Sequence, residues 1–329
     1  MYEAFYGLRE RPFDLTPNPR FLLMTSRHRE ALTTLEYGLT ARTGIALLVG
    51  EAGTGKTTIV HAALQSQRVR QSRAVYLNNP ALTRDEFVEF LAAGFGLSEG
   101  AAKSKTRCLA ELTEVLASRH ASGTMSALVI DEAQGLPDEL LEEVRLLANI
   151  ESAAEKLLSI VLAGQPEIAD RLNQPSLRQL KQRIGLRCSL AALELPETTA
   201  YIAARLRIAG GDGSQVFADD AVATIHERSG GIPRTISVIA DNALVTSFAL
   251  DQRPVSREVV LEVCRDFDFG ETPDEAAAMR RRDDDAESTR VRPFAPNADS
   301  TGRHGDAHAA APAVDRGLLG RVKSGFSVP

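Results

Sequence analysis

Short runs of apolar residues alternate with stretches of helical periodicity over the first 195 residues. A short apolar run between polar residues is typical of a buried strand, whereas apolar residues three or four positions apart indicate a helix. Such runs predict strands at 45–49, 74–78, 127–130, 157–164 and 186–190. Helical spacing predicts helices at 26–42, 56–68, 83–95, 105–120, 137–150 and 175–183, with Ser26 as the candidate N-cap of the first. This alternation predicts an α/β domain at 26–195, a parallel sheet with helices on both faces.

The pattern changes after Leu195 to helical spacing alone. Helices are predicted at 197–209, 218–229, 232–250 and 255–265, separated by the turn-forming sequences GGDGS, SGGIP and DQRP. This spacing predicts a small all-helical domain at 196–268.

The two ends of the chain differ from these domains. Residues 1–25 carry prolines at 12, 17 and 19 and several aromatic residues, which argues against a helix and against disorder, so we expect them to pack against a core. Residues 269–329 are too poor in apolar groups to offset chain entropy, which predicts a disordered tail. A weak amphipathic patch at 317–326 offers, as the alternative to a frayed end, a docking motif for a partner or a membrane surface.

Composition excludes several classes of protein. The 329 residues are 43% hydrophobic and 25% charged with a net charge of −6, so no overall basic excess points to nucleic acid. Cys108, Cys188 and Cys264 show no CxxC spacing, which predicts free thiols in a reducing compartment. The six histidines are scattered and no pair has ligand spacing on one predicted face, which argues against a structural metal. No apolar run approaches the ~20 residues of a membrane span, and no signal-peptide pattern begins the chain. We therefore expect a cytoplasmic protein.

The sequence GEAGTGKTT at residues 50–58 lies between a predicted strand and a predicted helix. It fits the phosphate-binding pattern G-x-x-x-x-G-K-[ST], in which glycines let backbone N–H groups approach phosphate oxygens at a helix N-terminus. Lys56 is expected to reach the β and γ phosphates of ATP, and Thr57 to ligate Mg²⁺. The predicted binding residues are Gly50, Glu51, Ala52, Gly53, Thr54, Gly55, Lys56, Thr57 and Thr58.

Two carboxylates, Asp131 and Glu132, follow the apolar strand at 127–130. Ligands of open parallel sheets bind at the carboxyl ends of the strands, so we expect the pair beside the phosphates. Asp131 is predicted to hold Mg²⁺, and Glu132 to act as the general base for an attacking water. The predicted reaction is therefore hydrolysis of ATP to ADP and phosphate, rather than transfer to an acceptor.

Further polar residues extend this candidate site. Gln165 ends a predicted strand and is a candidate contact for the γ-phosphate or the water. Arg178, Arg183 and Arg187 follow, and an arginine of this group could reach the γ-phosphate of a neighbouring subunit. Arg234 begins a predicted helix after Gly-Gly-Ile-Pro, from where it can reach back across the interdomain cleft to the phosphates. For each arginine the alternative is a solvated helix face.

Seven blocks together resemble the AAA+ superfamily, and among its members the bacterial ATPases of the general secretion pathway protein A type and those of exosortase and exopolysaccharide systems. The resemblance covers the chain up to about Asp266. The blocks are MYEAFYGLRERPFDLTPNPRFL, SRHREALTTLEYGL, GEAGTGKTT, VIDEAQGL, VLAGQPEI, LRQLKQRI and SGGIPRTIS.

This resemblance implies an AAA+ P-loop NTPase fold, a five-stranded parallel sheet of order 5-1-4-3-2 followed by a small helical lid, with the proline-rich N-terminal segment near the adenine. It also implies roles for individual residues: 50–58 as Walker A, Asp131 and Glu132 as Walker B, Gln165 as first sensor, Arg183 as arginine finger and Arg234 as second sensor.

Three functions remain open at this point. The first is a homo-oligomeric ATPase, with its arginine finger acting in trans, that powers or regulates assembly of a secretion or surface-polysaccharide export system; it would be cytoplasmic or peripheral at the inner membrane. The second is a DNA-associated ATPase of the transposition-helper or initiator type, against which the acidic composition argues. The third is a slow nucleotide switch that changes its affinity for a partner.

Overall fold

The five apolar runs form the strands of one parallel β-sheet. The strands are β1 (Ile45–Gly50), β2 (Arg73–Leu77), β3 (Ser126–Ile130), β4 (Leu158–Gly164) and β5 (Ile184–Leu190). Their spatial order is β2-β3-β4-β1-β5, which is the order 5-1-4-3-2 read from the other edge and confirms the expected topology. β1, β3 and β4 are buried along their whole length, which explains why they read as continuous apolar runs.

The computed structural model describes residues 1–16, 19–21, 23–41, 43–69, 72–78, 80–152, 155–212 and 215–269. The predicted tail and its patch at 317–326 lie, from residue 270 on, outside the described residues. The described residues fall within one compact unit, Met1–Asp274. The helices in these ranges are α1 (Tyr2–Tyr6), α2 (Ser26–Thr40), α3 (Lys56–Gln65), α4 (Arg84–Phe95), α5 (Glu99–Ala102), α6 (Lys105–Ala121), α7 (Asp138–Leu147), α8 (Pro166–Arg171), α9 (Arg178–Lys181), α10 (Leu195–Ile208), α11 (Asp219–Ser229), α12 (Pro233–Ala249) and α13 (Arg257–Asp266).

Helices cover both faces of the sheet, and alternate residues of each strand pack into different clusters. On β1, Ile45 and Leu47 join one apolar cluster with residues of α4, α6 and α7. Ala46 and Leu48 join another with residues of α2 and α3. Because successive side chains of a strand point to opposite faces, this alternation fixes the register of the sheet between its two helical layers.

The four helices α10 to α13, here called the lid, enclose a separate apolar cluster. Tyr2, Tyr6, Leu8 and Phe13 from the N-terminal segment (residues 1–25) belong to the same cluster. The Tyr2 hydroxyl donates to the Asp241 carboxylate of α12, which ties the first turn of the chain to the lid. The N-terminal segment therefore packs against a core, as its aromatic content predicts, and that core is the lid's. None of the described helices is long and apolar enough to cross a membrane.

Two expectations for the N-terminal region are wrong. Residues Tyr2–Tyr6 form the helix α1, because the prolines that argued against a helix begin only at Pro12. Tyr2 and Tyr6 lie one turn apart, so both rings pack against the lid. The N-cap of α2 is Thr25 rather than Ser26, since the Thr25 hydroxyl oxygen accepts from the His28 N–H at 3.4 Å.

The sequence pattern also missed two helices, α5 and α8, and misread a third. Both missed helices are too short to show a helical period. The helix predicted at 175–183 begins with a 3₁₀ turn at Pro175–Leu177 and continues as α9. The domain boundaries at 25, 195 and 268 stay predictions. The three cysteines are buried and free.

Gly231 lies where the connection from α11 to α12 crosses the residues before α10. Its φ is +73°, and a Cβ there would lie 2.1 Å from the Leu193 carbonyl oxygen. We expect Gly231→Ala to lower the free energy of unfolding by about 3 kcal/mol, because both the backbone angle and the close approach oppose a side chain.

Gly230→Ala is the matched control, because Gly230 also has a positive φ (+58°) but a Cβ there meets nothing within 4 Å. This control should lose only about 1 kcal/mol. Urea unfolding of the two variants measures the difference. Equal losses in both would contradict the close approach to Leu193 as the cause.

Candidate nucleotide-binding site

A cavity of about 390 Å³ opens between the carboxyl end of β1 and the lid. Small-molecule clefts in proteins span roughly 300–1,000 Å³, so its size suits a nucleotide. The phosphate loop (residues 50–58) forms one wall, the first turn of α12 another, and α10 with part of the N-terminal segment the third. The cavity therefore lies at the sheet edge where parallel sheets bind ligands.

The phosphate loop turns sharply at its glycines and leads into α3. Gly53 and Gly55 have φ of +81° and +96°, in the left-handed region that side chains disfavour. Gly55 is the N-cap of α3, so the unpaired backbone N–H groups of the first helical turn lie at the cavity wall. These groups and the helix dipole favour an anion, which fits the phosphates of a nucleotide.

Lys56, the first residue of α3, is only 5% exposed. Its Nζ donates to the carbonyl oxygens of Gly50 at 2.8 Å and Glu51 at 3.0 Å. An ammonium has three N–H donors, so the third can serve a phosphate oxygen. Burial lowers the pKa of Lys56, and the charges of Glu132 and Asp131 act in the opposite direction.

Asp131 follows β3 and accepts hydrogen bonds through both carboxylate oxygens. Its Oδ2 accepts from Thr57 Oγ1 at 2.6 Å and from the Tyr76 hydroxyl at 2.9 Å, and its Oδ1 accepts from the Glu132 N–H at 2.9 Å. Burial and the neighbouring Asp131 charge raise the pKa of Tyr76, which keeps its hydroxyl a donor. The sequence did not single out Tyr76, although it lies near the carboxyl end of β2, beside β3.

Thr57 and Asp131 together suit a magnesium ion. Mg²⁺ prefers oxygen ligands and is held by one or two carboxylates together with substrate phosphates and water. A hydroxyl and a carboxylate already in contact at the mouth of the phosphate loop provide such a donor set. Over the described residues no group of three or more His, Cys, Asp or Glu side chains could hold a metal.

Glu132 has a left-handed backbone, with φ of +53°, which is uncommon for a residue other than glycine. Its Oε2 accepts from Gln134 Nε2 at 2.5 Å and from Gln165 Nε2 at 3.5 Å. The Gln165 N–H in turn donates to Gln134 Oε1 at 3.0 Å. The structure thus brings Gln165 to Glu132, and it adds Gln134, which the sequence reasoning missed despite its place in the DEAQ block.

Arg171 of α8 fixes the turn that carries these groups. Its NH1 donates to the carbonyl oxygens of Gln134 at 2.8 Å and Leu136 at 2.7 Å, and its NH2 pairs with Asp138. The helix α8, one of the two that the sequence pattern missed, therefore anchors the turn that follows Glu132.

Arg234 lies directly against the phosphate loop. Its N–H donates to the Gly53 carbonyl oxygen at 3.2 Å, and a Cβ on Gly53 would lie 2.7 Å from the Arg234 Cβ. Arg234 also lines the cavity. The lid and the phosphate loop are therefore in contact at Arg234, the residue that the sequence predicts to reach from the lid to the phosphates.

Arg183 lies at the amino ends of the strands, at the opposite end of the sheet from the cavity. It immediately precedes β5, whose first residue Ile184 pairs with Ile45, whereas Leu190 at its end pairs with Gly50. The five residue steps from Ile45 to Gly50 separate the amino and carboxyl ends of β1 by roughly 17 Å. Arg183 is exposed, as are Arg178 and Arg187, and the cavity lining among the described residues includes none of the three.

The cavity also contains residues from regions that carry no local motif. His28 of α2 is buried, and its Nδ1 shares a hydrogen bond of 2.7 Å with Thr25 Oγ1. Burial lowers the pKa of His28, which favours the neutral ring. Besides Arg234, the lid contributes the lining residues Tyr201, Arg205, Pro233 and Ser237.

Comparisons with known proteins agree with this site. A family model described as an AAA domain matches residues 40–172. General secretion pathway protein A of Aeromonas hydrophila is 42% identical over 249 residues, which cover 76% of this chain and 45% of that protein. The Mu-like prophage FluMu DNA transposition protein B of Haemophilus influenzae is 30% identical over 152 residues, which cover 45% of this chain and 47% of that protein. The chain thus spans about half the length of the curated relatives it matches.

Solved structures share the fold at low identity. The CDC6P structure from Pyrobaculum aerophilum has a TM-score of 0.63 at 16% identity and covers 81% of this chain and 73% of that one. The Aeropyrum pernix ORC2 protein, in ADPNP-ADP complexes, has a TM-score of 0.58 at 17% identity and covers 77% and 71%. The sheet order, the phosphate loop and the AAA-domain match agree with one another: the chain has the fold of an AAA+ P-loop NTPase and is similar to general secretion pathway protein A over 76% of its length.

Proposed function

We propose that the protein binds ATP with Mg²⁺ in this cavity and hydrolyses it to ADP and phosphate. The observation that carries the proposal is the contact of Thr57 with Asp131 at the mouth of the phosphate loop, with Glu132 next in the chain. A bound Mg²⁺ would offset charge on the phosphate oxygens. Thr57 and Asp131 would hold it, while Lys56 and the loop N–H groups bind the phosphates.

Glu132 is the proposed general base. The amide groups of Gln134 and Gln165 hold its Oε2, which leaves Oε1 to accept a proton from the attacking water. Arg171 restrains the turn behind Gln134. Arg234 is proposed to link the phosphates to the lid, so that the lid responds to what occupies the loop; the support is its contact with Gly53.

We further propose that hydrolysis serves the assembly of a secretion or surface-polysaccharide export system. The support is the identity to general secretion pathway protein A over 76% of the chain. The cytoplasm, or the periphery of the inner membrane, is the proposed location. Capture of a partner by a Glu132→Gln variant in ATP, compared with ADP, would identify the client. ATP-dependent capture of the same partner by the wild type, with little turnover, would instead favour the slow switch.

A DNA-associated function is the second candidate, favoured by the match to a DNA transposition protein. It predicts that DNA stimulates phosphate release and that DNA binding weakens steeply as salt rises. Filter binding at two salt concentrations distinguishes the candidates, because an acidic secretion ATPase should bind DNA weakly at both.

Arg183 is proposed to act on the nucleotide of a neighbouring subunit. It adjoins the amino end of β5, roughly 17 Å from the strand end that carries its own cavity, so in an oligomer we expect it to reach a neighbour's site instead. We expect Arg183→Ala alone and Glu132→Gln alone to be nearly inactive. An equal mixture should recover about a quarter of the activity, since half of the subunits keep Glu132 and half of their neighbours keep Arg183.

Arg187→Ala is the matched control, because Arg187 is an exposed arginine of the same edge strand. It should retain turnover alone, and phosphate release with sedimentation measures activity and assembly together. If the mixture stays inactive although both variants assemble, the trans role of Arg183 is wrong. An active Arg187→Ala and Arg178→Ala beside an inactive Arg183→Ala would also separate the three arginines.

A further inference from the structure

The N-terminal segment is held by the lid at one end and continues into the α/β region at the other. Phe13 is buried in the lid cluster, whereas α2 packs on the sheet. Between these anchors Leu15, Phe21 and Leu23 line the cavity. Leu15 is 53% exposed, so an apolar side chain of the lining is open to solvent. The segment is therefore a wall of the cavity rather than a loose end.

The two ends of the cavity differ in chemistry. Lys56 and Arg234 lie at the phosphate loop, where anionic oxygens would bind. Leu15, Phe21 and Tyr201 supply apolar and aromatic surface at the N-terminal segment and α10. A planar aromatic base packs well on such surface, whereas a phosphate does not.

Arg205 of α10 connects the groups of this second end. Its guanidinium carbon lies 5.2 Å from the Phe21 ring centroid and 5.0 Å from that of Tyr201. Its NH1 donates to the Pro12 carbonyl oxygen at 3.0 Å and, at 3.5 Å, to the Asp14 carbonyl oxygen. One side chain thus holds the backbone of the N-terminal segment and lies over one aromatic ring of that segment and one of α10.

The position of this guanidinium is tightly determined. Its Nε is enclosed and has no hydrogen-bond partner among the described residues, and burial lowers the pKa of Arg205. An enclosed, incompletely paired cation is unfavourable for folding alone. Its presence at a cavity wall therefore indicates a role in what the cavity binds.

We propose that Arg205 is the positioning residue for the nucleoside end of the cavity. It holds the N-terminal segment on the lid, so that Phe21, Leu15 and Tyr201 form the surface on which an aromatic base packs. The inference rests on the proposed nucleotide binding and adds that affinity for the base depends on the joint between the N-terminal segment and the lid.

Arg205→Lys tests the proposal, because it keeps the positive charge and removes the planar guanidinium that lies over the Phe21 and Tyr201 rings and donates to the Pro12 and Asp14 carbonyl oxygens. The probes are ADP and inorganic tripolyphosphate, which has no base. We expect Arg205→Lys to bind ADP about tenfold more weakly and tripolyphosphate unchanged, because only the base contacts the altered wall. In turnover, the KM for ATP should rise with little change in kcat.

Arg207→Lys is the matched control, because Arg207 is exposed on the same helix, and it should bind both probes as the wild type does. Equal losses for ADP and tripolyphosphate, or no loss for either, would overturn the proposal. If Arg205→Lys does not fold, Phe21→Leu replaces it as the test, with the same selective loss of ADP expected and an unchanged ADP affinity as the contrary result. Wild-type protein that binds neither probe would instead refute the proposed nucleotide site itself.

Discussion

Lys56→Ala is expected to weaken the binding of ATP by about 100- to 1,000-fold, because a charge-assisted contact to the phosphates is lost from a buried site. The ammonium lies inside the curve of the phosphate loop, in contact with the Gly50 and Glu51 carbonyl oxygens. Its charge lies where the anionic part of the nucleotide must sit. Calorimetric titration with ATP and Mg²⁺ measures the dissociation constant directly.

Lys103→Ala serves as the control for loss of a positive charge, because Lys103 is exposed at the end of α5. It should bind ATP as the wild type does. Thermal unfolding without nucleotide shows whether Lys56→Ala still folds, since the loop carbonyls lose a donor in this variant. A folded Lys56→Ala protein with wild-type affinity would mean that phosphates bind elsewhere.

Glu132→Gln is expected to lower kcat by about 100- to 1,000-fold, the range that a general base contributes. The substitution is nearly isosteric, and an amide oxygen can still accept from Gln134 and Gln165, so the turn should keep its geometry. Nucleotide affinity should stay within about threefold of the wild type, because the hydrogen bonds of Glu132 run to Gln134 and Gln165 and the amide can keep them. Single-turnover phosphate release and ATP titration measure the two quantities separately.

Glu139→Gln is the matched control, since Glu139 is an exposed carboxylate in the first turn of α7, seven residues further along the chain. It should leave kcat unchanged. The assignment of Glu132 as the base fails if Glu132→Gln retains turnover. A parallel loss of affinity would assign Glu132 to the structure of the site instead.

The site residues that could be predicted from the sequence lie in short continuous runs, where closeness in the chain brings the residues close together in the structure. The phosphate loop is one short run of residues, and Asp131 and Glu132 adjoin a strand whose apolar character is plain, so both are placed at the right sheet edge. Tyr76 could not be found in the same way. Its contact with Asp131 depends on the pairing of β2 with β3, and the residues around Tyr76 in the chain do not indicate which strand pairs with β2.

Arg205 and the N-terminal segment show the same limit over a longer range. The aromatic residues of the segment predict burial but not the surface that buries them, because their partners on α10 and α12 follow late in the chain. Arg234 was predictable since it adjoins the glycine pair before α12, and its contact with Gly53 follows from where that helix begins.

The joining of Tyr2 and Tyr6 to the lid has a consequence for biosynthesis. Both residues precede the sheet region in the chain, whereas their packing partners on α12 follow it, so both rings remain without these partners while the sheet region is being made. Closing so long a loop costs little more entropy than closing a shorter one, but contacts between residues this far apart in the chain form slowly. Tyr2 and Tyr6 are therefore apolar surface that a nascent chain displays until α12 has been made.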